Sequence, residues 1–366
     1  RALVSTMFLF INVFVFQPAV IYTGALFMIS MTGIDADLIT IAIAFALVGA
    51  AYSVLGGLRA VAVSDTYGGV LVLLMGLLVV VLSLMAIDFD LSGIPAERLT
   101  LIGDSDSPVP WHTLLTGMFL IQIFYWSTNQ TITQRAMAAP TVKEAQKGVY
   151  AAAFIRVIFI PSMVVIPGIV AFKLYGDIGD QAYGRIVGDL LPSWLSGVFA
   201  AAIAAAVLSS FNSMVNSSAA MYVCDLHERY IDEKPNVRVL SGIATGVFVL
   251  IAVAMVPVYA QSDSIINLLQ ELWGLISMPI LACFAVGLLF KNVDYRAAIA
   301  AVISGVLMYA CFIWLWMPLH YIHMMFFTFF ICVGLALSIN RFVFGNRAEF
   351  IGLNSSDEKP ADLSAA

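Results

Sequence analysis

The sequence predicts an all-α integral membrane bundle of about ten transmembrane helices, and three observations carry that prediction. Of the 366 residues, 61% are hydrophobic and only 11% charged, where a soluble domain runs near roughly a quarter charged. Mean hydropathy is +0.97. The apolar residues gather into long runs, not into the alternating segments of about ten residues that barrel strands require. The net charge of −6 and a pI near 5.1 exclude an extended nucleic-acid surface. Cys224, Cys283, Cys311 and Cys332 lie scattered, with no CxxC and no histidine at ligand spacing, so neither a disulfide framework nor a zinc site is predicted.

A helix needs roughly 20 apolar residues to cross the bilayer core. Ten runs qualify: 3–30, 38–56, 66–87, 112–134, 148–172, 194–224, 239–258, 264–290, 297–317 and 322–340. The first begins at once after Arg1 and carries Pro18, which a membrane helix tolerates. Gly56-Gly57 reads as a turn between the second and third runs, and Asp65 as cap and dipole partner of the third. Pro161 and Pro167 in the fifth run and Pro279 in the eighth are likewise compatible with helix. Residues 1–340 therefore form one transmembrane domain, and 341–366 a polar tail. Because the chain opens on Arg1 without a signal-peptide layout, it reads as a piece of a longer protein.

Orientation follows from the loops. With the N-terminus inside, thirteen of the seventeen basic residues fall in alternate loops, among them Arg59, Arg135, Lys143, Lys147, Arg229 and Lys291. The opposite loops hold Arg98, Lys173 and Arg185 among many acids, and Arg156 lies within a run. The positive-inside rule then places both ends of the chain in the cytoplasm, in a plasma membrane, or the inner membrane if the cell is bacterial.

Polar side chains at membrane depth point to a site or pathway. In the fourth run Gln122, Tyr125, Trp126 and Asn129 fall at i, i+3, i+4 and i+7, one face of a helix. They serve either as interhelical bonds and an interfacial belt or as a solute site. Tyr125 and Trp126 sit near the middle of the run, which favours a hydroxylated ring stacked on the aromatics. Arg156, about 12 Å into its run, either snorkels to the inner surface or faces a cavity. Gln270 and Glu271 present the same choice, with Gly274 permitting local unwinding. In the sixth run Ala206, Ser209, Ser210, Ser213 and Ser217 share a face. Small residues there allow close helix packing, and a hydroxyl pair one turn beyond a small residue also suits Na⁺, a hard cation. The four histidines lie at run ends or in loops, and no nucleophile–base–orienter set is visible, so no enzyme is predicted.

Three stretches together resemble the sodium:solute symporter family, sugar branch. They are Gly56-Gly57-Leu58-Arg59-Ala60-Val61 with Asp65, then Tyr125-Trp126-Ser127-Thr128-Asn129-Gln130 through Gln134-Arg135, and Ala204-Ala205-Ala206-Val207-Leu208-Ser209-Ser210 through Ser217. The resemblance implies a five-plus-five inverted-repeat fold, of which the first core helices precede Arg1. It implies a symporter that uses Na⁺ as coupling ion and no cofactor, in the lipid bilayer, with a sugar or polyol as solute. A sugar acid or a non-transporting sensor are the alternatives. By the same resemblance Ala206, Ser209 and Ser210 are sodium ligands, and Tyr125 with Trp126 closes the sugar site. Gln122 and Gln270 stand at sugar-binding positions, Arg156 where relatives have lysine, and Asp65 on the inward sodium path. Val63 replaces a usual tryptophan, and Gly68 a common polar residue.

Overall fold

The computed structural model describes residues 2–352 apart from 101, 104, 106, 108, 262–264 and 317–318, and the side chains of 54–65, 266 and 267 lie outside the description. Asp65, Arg59 and Val63 are therefore outside the described side chains.

Helix α1 (Ala2–Ile11) passes through a π-helical turn (Asn12–Phe16) into α2 (Gln17–Thr32), forming one apolar span. Pro18 explains the turn. Its missing N–H leaves the Phe14 carbonyl without the usual helical donor. The Tyr259 hydroxyl lies 3.1 Å from that carbonyl and 2.9 Å from the Val15 carbonyl. Gly33, at φ 65°, ends α2 in the left-handed conformation that glycine adopts without strain.

Helix α3 (Leu38–Ala86) is capped by the Asp37 carboxylate accepting from the Thr40 N–H at 3.1 Å. The turn read at Gly56-Gly57 lies outside the described residues of this helix. Only its Thr66–Ala86 portion is long and apolar enough to cross, and Leu38–Ser53 is a shorter apolar stretch.

A single turn of 3-10 helix (Trp111–Leu115) leads into α4 (Gly117–Ser127), and α5 (Gln130–Met137) follows after a break. The expected span 112–134 is thus discontinuous. Helix α6 (Val142–Tyr175) opens on an N-cap, the Thr141 hydroxyl accepting from the Glu144 N–H at 3.2 Å. Then come α7 (Ala182–Leu190), α8 (Ser193–Ala220), a second π-helical turn (Met221–His227), the short α9 (Glu228–Tyr230) and α10 (Val237–Tyr259). Helix α11 (Ile265–Leu289) leads to β1 (Phe290–Lys291), α12 (Tyr295–Trp314) and α13 (Tyr321–Phe342). Strand β2 (Glu349–Phe350), in the segment read as tail, pairs antiparallel with β1. Among the described residues eight helical stretches are long and apolar enough to cross a membrane, and Leu38–Ser53 and Gly117–Ser127 are shorter apolar helices.

The chain divides into two compact units. The larger comprises 1–108 and 130–270, the smaller 109–129 and 271–366. In the larger, Tyr22 and Ala25 of α2, Phe45 and Ala46 of α3, Phe211 and Val215 of α8, and Val249 and Tyr259 of α10 share one buried cluster. A second cluster joins Met31, Met75, Val170, Ile186 and Phe199. Beyond α3, Asp90 accepts from the Ser92 hydroxyl and N–H and pairs with the Lys173 ammonium at 3.1 Å, which together hold its carboxyl at about 2. In the smaller unit Val286, Ala301 and Ala336 pack α11, α12 and α13 together. There His323 lies 2.8 Å from His112 and 2.9 Å from the Thr116 hydroxyl, tying α13 to the turn ahead of α4.

Candidate functional site

In the larger unit the candidate site lies on α8. Gly24 on α2 and Gly49 and Gly68 on α3 let the neighbouring helices close on it. A Cβ would meet Val207 at 2.7 Å from Gly24, Phe211 at 2.6 Å from Gly49, and Ala205 at 3.8 Å from Gly68. One flank of the segment 205–211 is therefore packed to contact. On the remaining surface Ala206 and Ser209 are half-buried and Ser210 is exposed within this unit. The small-residue face read from the sequence splits accordingly. Ser213 and Ser217 are buried and serve the interior, while the Ser209–Ser210 pair stays near an accessible surface. Hydroxyls so placed, one turn beyond Ala206, offer neutral oxygens to a hard cation.

In the smaller unit the aromatic residues meet. Tyr125 stands edge-to-face on Trp273, with centroids 4.9 Å apart and planes at 76°, and on Trp126 at 5.2 Å and 79°. Phe124 meets the same Trp273 at 6.1 Å. Edge-to-face packing is the favoured arrangement of ring quadrupoles and holds each plane at a fixed angle. Trp273 is a wall residue that helical spacing in α4 alone could not supply, because it comes from α11. Gln122 is exposed on the same helix as Tyr125.

Asn129 departs from the expected face. Helix α4 ends at Ser127, where the Ser127 hydroxyl donates to the Ile123 carbonyl at 2.6 Å and the Thr128 hydroxyl to the Phe124 carbonyl at 2.8 Å. Side chains that bond back to carbonyls compete with the helical ladder. Asn129 follows outside the helix and is buried, so the i+7 relation to Gln122 does not hold.

The remaining predicted residues are dispersed. Arg156 is exposed on α6, and Gln270 is half-buried on α11, three residues ahead of Trp273. Gly274 does not unwind α11, which is continuous there. Instead a Cβ at Gly274 would run into the Tyr309 hydroxyl, so its small size serves the approach of α12. Two fully buried amides pass unnoticed in sequence reading. Gln17 donates to the Ser218 hydroxyl at 3.1 Å, and Asn212 sits beside Gly49. Each is a polar residue in an apolar run, and that is the only signal the sequence carried.

A sequence profile of the sodium:solute symporter family matches residues 1–305. The chain belongs to the sodium:solute symporter family. It is 31% identical over 331 residues to the uncharacterized symporter YidK of Escherichia coli K12, covering 84% of this chain and 58% of that one. It is 30% identical over 343 residues to a sodium/glucose cotransporter of Vibrio parahaemolyticus, covering 84% and 62%. With a human sodium/myo-inositol cotransporter it shares 26% over 350 residues, covering 84% and 51%. The chain thus spans between half and about three-fifths of the length of these relatives. Its fold matches a solved Na⁺-coupled sialic acid symporter with a TM-score of 0.78 at 17% identity, over 95% of this chain and 75% of that one. The family is one of transporters, and the match places this chain's helices in the inverted-repeat transporter fold.

Proposed function

We propose that this protein takes up a sugar or polyol together with Na⁺ by alternating access. The observation that carries the reading is the half-buried Ser209 and exposed Ser210 on α8, one turn beyond Ala206 and beside a flank packed to contact with α2 and α3. Ala206, Ser209 and Ser210 supply oxygens for the ion, completed in this fold class by a broken helix of the other repeat. The aromatic cluster of Tyr125, Trp126 and Trp273 supplies a surface for the C–H face of a sugar ring, and Gln122 and Asn129 supply amides for its hydroxyls, with Gln270 a further amide that the family resemblance suggests. Relatives named for glucose and myo-inositol support a neutral polyhydroxylated solute.

The energetics suffice. One positive charge moving down about 100 mV releases about 2.3 kcal/mol, and a tenfold Na⁺ gradient adds roughly 1.4 kcal/mol. One ion per solute then sustains a solute gradient of a few hundred-fold, on the order of 3.7 kcal/mol. The loops at 138–147, 229–238 and 291–294 carry the basic residues and face the cytoplasm in this reading.

The test is uptake of labelled glucose and myo-inositol by the full-length protein in vesicles under an imposed Na⁺ or K⁺ gradient. Accumulation driven by Na⁺ alone and inhibited by neutral sugars is expected. Competition only by acidic sugars would move the solute to a sugar acid, and equal uptake under both gradients would remove sodium from the mechanism. Cysteines at Ala145 and Asp177 should label from opposite sides, with Asp177 outside.

A further inference from the structure

Arg135 reads in the sequence as one more basic loop residue. It lies instead on α5, half-buried, and its guanidinium reaches inward. One N–H donates to the Thr131 carbonyl a turn back, at 3.2 Å. Another donates to the Ser213 hydroxyl of α8. Ser213 is 1% exposed and donates in turn to the Ser209 carbonyl at 2.8 Å. A relay of donors therefore runs from a fixed charge on α5 to the residue carrying half of the Ser209–Ser210 pair.

The relay has a mechanical consequence. A serine that bonds to the carbonyl four residues back competes with the backbone N–H for it and bends the helix at that turn. A charged donor on the same serine oxygen polarises its O–H and strengthens the bond it makes. The turn so affected is 209–213, whose first two residues bear the paired hydroxyls. Sites of this kind work only when their atoms are held within about 0.5 Å of the productive geometry. Helix α5 also begins directly after the break at Asn129, so the same contact anchors the segment beyond that break to α8.

We propose that Arg135, acting through Ser213, is a positioning residue for sodium: it fixes the 209–213 turn of α8 that carries the Ser209 and Ser210 hydroxyls. The proposal rests on the reading of that pair as sodium ligands. Arg135 itself touches neither ion nor solute.

The experiment uses Ser213→Ala and Arg135→Lys in the full-length protein, with Ser209→Ala/Ser210→Ala as the reference. Lysine keeps the charge and loses the planar fork that holds Thr131 and Ser213 together. Two constants are read: the Na⁺ concentration for half-maximal uptake at saturating glucose, and the glucose KM at saturating Na⁺. Each variant should raise the half-saturating Na⁺ about three- to tenfold, the effect of one lost hydrogen bond. The glucose KM should stay within about twofold, and the combined variant should be no worse than the more severe single one, because the two residues act in series. If the reference variant keeps its Na⁺ dependence, the sodium site itself is wrong and the proposal falls with it. If the reference loses Na⁺ dependence while Ser213→Ala and Arg135→Lys leave the half-saturating Na⁺ unchanged, the site stands and the role of Arg135 is overturned. Equal rises in both constants would also overturn it, since they would mark Arg135 as a general support of the fold. Ser213→Ala deletes a single oxygen and is the arm least able to disturb folding, so an unchanged Na⁺ constant there is decisive alone.

Discussion

Helices α8 and α4 both carry polar residues through an apolar run, and they are built in opposite ways. Helix α8 extends from Ser193 to Ala220, and glycines on α2 and α3 admit it to contact distance along one flank. Helix α4 covers only Gly117–Ser127, leaves Gln122 and Trp126 exposed, and stops where Ser127 and Thr128 bond back to its own carbonyls. The difference matches what the proposed function assigns to each. A cation needs oxygens held at fixed positions, because it has no shape to adapt and its desolvation is costly. A polyhydroxylated ring needs a flat apolar wall with amides at its edge, and a helix that ends beside the wall frees backbone for such a site.

The largest test of this contrast is the double change Ser209→Ala/Ser210→Ala. It should abolish Na⁺-dependent uptake while lowering the protein's melting temperature in detergent only slightly, since Ser210 is exposed and Ser209 half-buried. A collapse in melting temperature would return the pair to simple packing. Next in size is Gly117→Ala, at the first residue of α4. Its Cβ would run into the Ile322 carbonyl of α13, a backbone atom with no rotamer to yield. A loss of about 2–3 kcal/mol is expected, the upper range for overpacking, read as a clear drop in melting temperature. A smaller effect is expected from Tyr125→Ala, which removes the ring packed on Trp273 and should raise solute KM about tenfold, or roughly 1.4 kcal/mol. Tyr125→Phe keeps the ring and should recover most of that loss; failure to do so would shift the role from stacking to the hydroxyl. The smallest is Gly197→Ala in α8. No heavy atom lies within 4 Å of the added Cβ. The helix should gain about 0.5–1 kcal/mol from the restricted unfolded chain, seen as a small rise in melting temperature. A loss there would show α8 to be tighter near its start than the contacts at Gly24 and Gly49 suggest.

Much of the fold was legible because the membrane imposes one requirement on every span. Long apolar runs must be helical, since each backbone group needs a partner inside its own segment. The aromatic pair Tyr125–Trp126 and the serine pair Ser209–Ser210 were legible for the complementary reason, that polar atoms in such runs are costly and stand out. Period alone misled at two places. It carried the face of α4 through Asn129, although Ser127 and Thr128 bond back to carbonyls and end the helix first. It also placed Ser213 beside Ser209 and Ser210 as an equivalent, although Ser213 is buried and bonded at both ends.

By itself the sequence determined the membrane class, the helical character of the ten apolar segments and the residue types that carry chemistry, because these depend on composition and on backbone accounting within a segment. The tertiary structure alone decided which of those residues work together. That Trp273 of α11 braces Tyr125, that Tyr259 of α10 answers the carbonyl left by Pro18, and that Arg135 reaches Ser213 are contacts between residues 78 to 245 positions apart. Helical periodicity relates neighbours within about two turns and is blind to such pairs; only the packing of one helix on another brings them within bonding distance.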